Sequence, residues 1–239
     1  MIEKHLMRLR ARDIVSAEEE KAVREAVWET RTVSAKTTII RAGQLLSTST
    51  LLLDGLMCRY KDLRNGQRQI TELHVAGDFV DLHSFSLKRL DHNIMALTPG
   101  RVAIVPHRAL NLITERHPHL ARIYWFSTNL DAAVHREWML SLGRRSALSK
   151  VAHLFCELHV RLGLVGLSDD AGYDLALTQI DLAECVGMTA VHVNRLLRDL
   201  REQGAVEFGR GRVTIGDLDL LRRIAEFDPA YLYLERQPQ

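Results

Sequence analysis

Ala190, Val191, His192, Asn194, Arg195 and Arg198 fall within nine residues, with Thr189 at their head. An arginine at such a place forms a bidentate contact to guanine O6 and N7, and Asn194 or His192 reaches a neighbouring base edge or a phosphate. Thr189 as an N-cap leaves backbone N–H groups free to meet a phosphate. Thr178 and Gln179 head a shorter apolar segment just upstream, and Arg210 and Arg212 flank Gly211 downstream, where they suit a grip on a nucleic-acid backbone. From Met188 to Arg212 there are five arginines and three acidic residues, whereas residues 144–215 carry nine basic and nine acidic residues. The positive charge is therefore a local stripe on a neutral domain, as expected of groove reading.

Other chemistries find weaker support. Eleven histidines include an HxH at His117-Pro118-His119, and His74, His83 and His92 lie around one end of the strand-rich region. None of these spacings forms a tight ligand set, so no metal site is predicted. Cys58, Cys156 and Cys185 are odd in number, far apart and without a CxxC pair, as expected of packed thiols in a reducing compartment. A metal-dependent jelly-roll enzyme would need its HxH on the strands, and here the motif straddles a proline at a helix start. No Gly-x-Ser-x-Gly elbow, P-loop or GxGxxG is present, so the chain is read as a non-enzyme.

The elements that must position these residues come in three textures. From about Ile14 to His107 the pattern is short and alternating. A helix over Ala17–Trp28, capped by Ser16, leads into strands at Thr37–Arg41, Thr50–Leu53, Met57–Asp62, Gln67–Val75, Ile94–Thr98 and Val102–Pro106. Asn65-Gly66 marks a hairpin, both residues tolerating positive φ. Strands at this spacing predict a β-roll or jelly-roll. A long helix follows over His119–Leu142, with Ile123, Phe126, Leu130, Val134 and Trp138 on one apolar stripe, read as a dimer seam. Trp125 and Met139 add apolar surface beyond that face, and Gly143-Arg144-Arg145 reads as a hinge.

The last texture is helical. A helix over Ala147–Leu162 precedes Gln179–Cys185, a turn at Gly187 and a second helix over Ala190–Gln203. Strands at Ala205–Phe208 and Val213–Ile215 then flank Gly209-Arg210-Gly211. Helix, turn, helix and basic-tipped hairpin is the layout of a winged helix-turn-helix. The fold class is thus α+β, in three parts: a sensor-type roll over 14–116, a dimerisation helix over 117–143 and a DNA-binding domain over 144–224.

In this order the pieces resemble the Crp/Fnr superfamily of transcription regulators. The stretch Thr178-Gln179-Ile180-Asp181-Leu182-Ala183-Glu184-Cys185-Val186-Gly187-Met188-Thr189-Ala190-Val191-His192-Val193-Asn194-Arg195-Leu196-Leu197-Arg198-Asp199-Leu200 is similar to the family's DNA-reading unit. Ala76-Gly77-Asp78-Phe79-Val80 is similar to the turn before its effector cassette. The resemblance implies a cytoplasmic homodimer on a palindromic DNA site, with RNA polymerase as a further partner and no membrane. It also implies an effector pocket, and its candidate positions are Leu82, His83, His92 and Asn93.

The chain departs from the family at three places. The glutamate that holds the ribose in cyclic AMP-binding members falls on Leu82, and the arginine and hydroxyl that hold the cyclic phosphate fall on His92 and Asn93. A neutral imidazole of unperturbed pKa ~6.5 is a poor phosphate anchor. The N-terminal cysteine cluster of oxygen-sensing members is missing, since the first cysteine is Cys58. No cofactor is therefore predicted, neither cyclic AMP nor an iron–sulfur cluster, while haem or another effector stays open. The Arg-Glu at the head of many relatives' reading helix is Ala190-Val191 here, which predicts apolar contact with thymine methyls. The competing reading is an effector- or metal-binding roll, a haem or redox sensor, whose C-terminal unit docks a protein.

A chain of 239 residues with 46% hydrophobic and 26% charged residues excludes a disordered polymer, and its apolar runs are too short for a membrane span.

Overall fold

The computed structural model describes residues 1–235. It divides into two compact units: residues 1–61, 73–133 and 233–235 form one, and residues 62–72 and 134–232 the other. These boundaries differ from those read in the sequence. The tip of one hairpin and the second half of the long helix group with the C-terminal residues.

Seven strands build the roll. β1 (Glu29–Val33), β7 (Gly100–Pro106) and β3 (Thr48–Asp54) form one sheet in that order. β2 (Thr37–Ile40), β6 (Asn93–Ala96), β4 (Met57–Asp62) and β5 (Arg68–His74) form the other. Leu52 pairs with Val102 and Leu51 with Ala103. Leu52, Val102 and Ile104 share a core with Ile40, Met57 and Ile94 from the facing sheet. Leu51, Leu53, Ala103 and Val105 point the other way into a second core made with helices. A strand covered on both faces has no polar side to present, which explains three consecutive leucines at 51–53. At the Asn65-Gly66 turn only Gly66 takes a positive φ, 85°, because Gly66 N–H bonds Leu63 O and Asn65 can keep a negative φ.

The helices of this unit are α1 (Glu3–Arg12), α2 (Ala17–Glu25), the single turn α3 (Ser84–Leu87), α4 (His107–Arg116) and the first half of α5 (Pro118–Arg144). Sequence reading missed α1, β1 and α4 and ran α2 three residues too long. Ile2, just before α1, and Leu6 and Leu9 within it join the helix-side core. The buried His5 Nδ1 donates to Gly77 O at 2.9 Å, and Arg8 pairs with Asp78 at 2.7 Å. Burial takes the His5 pKa down to about 4, so the ring docks neutral. Gly77 has φ +98, and a Cβ there would stand 2.9 Å from both Lys4 O and Arg8 Cδ. Gly77→Ala is therefore expected to lower the unfolding midpoint and expose α1 to limited proteolysis, through backbone strain and displacement of that helix together. Unchanged protection of α1 would count against this docking.

His119, on α5, lies between two carboxylates. Nδ1 meets Glu19 at 2.7 Å and Nε2 meets Asp13 at 3.1 Å. Burial alone would depress the imidazole; the bonds to Glu19 and Asp13 outweigh it and raise the pKa. A group raised in the folded state gives its full stabilisation below its unfolded value of ~6.5 and loses it as pH climbs through the folded value. Urea midpoints are thus expected to fall between pH 6 and 8, and to fall less in His119→Asn.

In the second unit, α6 (Ala147–Gly163) is followed by β8 (Ser168–Asp169), β9 (Gly172–Asp174), α7 (Gln179–Val186), α8 (Ala190–Glu202), β10 (Val206–Gly209), β11 (Arg212–Ile215), α9 (Leu218–Ala225) and a 3-10 turn at Pro229–Leu232. The small sheet runs β10-β11-β9-β8, so the expected hairpin gains two short strands from the segment between α6 and α7. The hinge expected at Gly143 is a correction. α5 continues through it to Arg144, because nothing crowds Gly143 and Arg145 N–H still finds Ser141 O, and the break falls before the Ser146 cap of α6. Glu157 on α6, 0% exposed, accepts from Arg161 at 2.9 Å, Trp138 Nε1 at 3.0 Å and Tyr231 OH at 2.8 Å. His153 stacks on Tyr231 and meets Phe227 edge-on, with centroids 5.9 and 5.2 Å away.

Candidate nucleic-acid interface

Two short helices and a turn set the reading surface. Thr178 caps α7 in a reciprocal box: its Oγ1 accepts from Asp181 N, and Asp181 Oδ2 accepts from Thr178 N at 2.9 Å. Gly187 ends α7 with φ +66. Gln69, on the β5 part of this unit, donates from Nε2 to the carbonyls of Glu184 (2.8 Å) and Cys185 (3.2 Å), satisfying the last turn of α7. Thr189 then caps α8 by accepting from His192 N at 3.3 Å.

The buried side of α8 is Val193, Leu196, Leu197 and Leu200. These residues follow the 3-4 helical spacing, so the opposite side is presented outward. Val191 is 84% exposed, and Asn194, Arg195 and Arg198 are exposed beside it. Gln179, Ala190, Val191, Asn194, Arg195 and Arg198 line one open depression. An exposed valine at this place offers a thymine methyl an apolar partner in the major groove. Beside the arginines the depression is cationic, with Glu202 3.8 Å from Arg198 as one counter-charge.

The other expected DNA residues divide. Thr178 and Thr189 act as caps, and His192 is half-buried at the flank. Arg210 takes φ 53 at the wing tip between two glycines. Arg212 pairs with Asp174 across the strands at 2.8 Å on the exposed side of the sheet. Sequence reading missed the bond from Asn194 Nδ2 to Gln179 Oε1 at 2.9 Å, since fifteen residues separate the two amides and no local pattern links them.

The stripe expected to seam a dimer is largely covered within the single chain. Ile123, Leu130, Val134 and Trp138 are buried in the chain's own structure, and Phe126 contacts Arg12 and Tyr233. The outward face of α5 carries Trp125 (70% exposed), Asn129, Ala132, Arg136, Met139 (72%) and Gly143. The steps are 4, 3, 4, 3 and 4, the repeat of a two-stranded coiled coil. That spacing was readable, but the stronger apolar stripe on the opposite face drew the assignment.

The effector positions do not assemble a nucleotide site. Leu82 is in the helix-side core. His92 Nδ1 meets Asp91 at 2.9 Å and its ring lies 5.3 Å from that of His83. Asn93 Oδ1 accepts from Ala42 N. Arg59, a nearby buried cation, is engaged by Val80 O and Asp131 at 2.9 Å each. Asp81 is buried with Thr50 N–H on its Oδ1, and burial pushes its carboxyl up to about 7. A cyclic phosphate needs an available cation or donor nest, and these residues do not fit one. All three cysteines are buried, and burial pushes the Cys156 thiol up to about 12, away from the thiolate a redox sensor needs. Among the described residues, no group of three or more His, Cys, Asp or Glu is placed to hold a metal ion. Among them, too, no helix is long and apolar enough to cross a membrane.

A roll, a long helix and a winged helix-turn-helix with an exposed, arginine-bearing reading face define a DNA-binding transcription regulator, not an enzyme. Residues 30–117 match the cyclic nucleotide-binding domain family and residues 149–224 the Crp-like helix-turn-helix domain family. The chain is 30% identical over 197 residues to a probable transcriptional activator of Rhizobium leguminosarum bv. viciae, covering 81% of this chain and 80% of the relative. It is 30% identical over 190 residues to the nitrogen fixation regulation protein FixK of Bradyrhizobium diazoefficiens, covering 77% and 76%. The solved structure of FixK2 from Bradyrhizobium japonicum has the same fold, with TM-score 0.75 and 23% identity over 82% of this chain and 96% of that one. The chain belongs to the Crp/Fnr family of transcription regulators.

Proposed function

We propose that two copies of this chain bind a palindromic DNA site in the cytoplasm, without cyclic AMP, and recruit RNA polymerase there. The observation that carries the DNA reading is the outward face of α8, where Val191 and Arg195 stand together beside an open depression. Pairing of two chains is supported by the heptad-spaced face of α5, with Trp125, Ala132 and Met139 at one core position and Asn129, Arg136 and Gly143 at the other. A polar Asn129 in that position favours one register and a two-stranded state. Two reading helices held this way would lie about one turn of DNA apart, ~34 Å. The case against cyclic AMP rests on Leu82, Asn93 and Asp81, none of which supplies a cation to a phosphate. Contact with RNA polymerase is supported by relatives that bear the name of transcriptional activators.

The test is selection of bound fragments from sheared genomic DNA by the purified full chain at near-physiological salt, with no effector added. A palindrome with half-sites one turn apart is expected. Recovery of random fragments alone, from protein that is folded and dimeric, would overturn the reading of an effector-independent regulator.

A further inference from the structure

The amide pair beside the reading arginine has a consequence of its own. Asn194 lies one residue before Arg195 on the exposed face of α8, and Gln179 is the first residue of α7. Asn194 Nδ2 donates to Gln179 Oε1 at 2.9 Å, and both residues line the same depression. A solitary exposed asparagine turns its amide over at little cost, offering either order of donor and acceptor to whatever faces it. Bonded to Gln179, Asn194 cannot turn over alone, because the two amides reverse only together. With one Nδ2–H given to Gln179, a second Nδ2–H and both lone pairs of Oδ1 remain. That is the donor–acceptor pair that matches adenine N7 and N6–H in the major groove.

We infer that Asn194 reads one adenine in each half-site and that Gln179 is the positioning residue that presents its amide. This rests on the DNA-reading function proposed above. Guanine shows two acceptors on that edge and cytosine one donor, so neither satisfies both atoms of the oriented amide. The adenine would lie next to the base pair read by Arg195, since the two side chains are neighbours on one helix face. Gln179 would keep its own Nε2 for a phosphate, which makes two separable contributions from one side chain.

The experiment is selection from a randomised DNA library by the full chain and by four variants, followed by competition binding on the selected site and its single-base changes. Asn194→Ala is expected to lose about 5- to 150-fold of discrimination at one A·T pair per half-site, the range of a bidentate base contact. The preference at the Arg195 position should persist. Gln179→Ala is expected to lose part of the preference at that same A·T pair. Gln179→Glu should retain the adenine preference, because a carboxylate still accepts from Asn194 Nδ2, while binding all sequences more weakly through repulsion of phosphate. Asn194→Asp, which offers only acceptors, should move the preference towards cytosine.

An unchanged selected sequence in Asn194→Ala would overturn the inference. So would a Gln179→Ala that weakens every site equally, which would make Gln179 a phosphate contact only. If the unaltered chain selects no sequence at all, the DNA-reading function itself fails and this inference with it, an outcome distinct from the other two.

Discussion

A double change of Trp125→Glu and Met139→Glu is expected to yield a folded monomer whose affinity for the selected palindrome falls about a thousandfold or more, towards non-specific binding. Both side chains are among the most exposed apolar residues of the chain, at 70% and 72%, so neither supports the fold from within. They stand fourteen residues apart, four turns of α5, at equivalent positions of the seven-residue repeat. In a parallel pair each would face its own copy, so every introduced carboxylate meets another across the dyad. Sedimentation equilibrium and competition binding on the same preparation read the two effects together. A variant that stays dimeric and binds as before would assign pairing to another surface. Charges at Leu130 or Val134 make a poorer test. Those side chains are buried in the chain itself, so the expected result is unfolding and not dissociation.

Glu157→Leu is expected to destabilise the C-terminal unit by ~3–5 kcal/mol, the cost of leaving a buried charge without its partner. Arg161 loses its carboxylate, and the Trp138 Nε1–H and Tyr231 O–H lose their acceptor at the same time. For a unit of about a hundred residues this corresponds to a fall in Tm on the order of 15 °C or more. Adding Arg161→Met removes the orphaned cation and is expected to recover part of the loss, as matched apolar replacement of buried pairs often does. Differential scanning calorimetry of the two variants measures both steps. A Glu157→Leu protein that melts like the unaltered chain would mean that water replaces the carboxylate, and that the three donors do not depend on it.

The legible and illegible parts of this chain follow from the range of the interactions involved. Winged-helix residues are local in sequence. The Thr178 and Thr189 caps, the Gly187 turn and the 3-4 apolar spacing of α8 each act within a few residues and could be read in place. β3 and β7 were found too, although the doubled burial of Leu51 to Leu53 needed helices that the pattern did not announce. α1 was missed because its core residues Leu6 and Leu9, with Ile2 just before it, sit among basic side chains whose partners, such as Asp78 for Arg8, lie far along the chain. On α5 the ambiguity has another source. The helix is apolar on two faces, and hydrophobicity alone does not say which face the chain covers itself. Within the site, Arg195 and Val191 were readable as types at positions, but the Gln179–Asn194 bond was not, because it exists only once α7 and α8 have crossed.

Phe227, edge-on to His153, and Tyr231, stacked on it and bonded to Glu157, lie beyond residue 224, where the match to the helix-turn-helix family ends. The portable module is therefore longer than its family boundary. A chimera grafting residues 149–224 onto a foreign sensor would carry Glu157 and His153 without the aromatic hook that covers them. Recombination that respects the fold would have to move the segment through Leu232, so the unit of exchange for this regulator is set by an aromatic tail outside the matched domain.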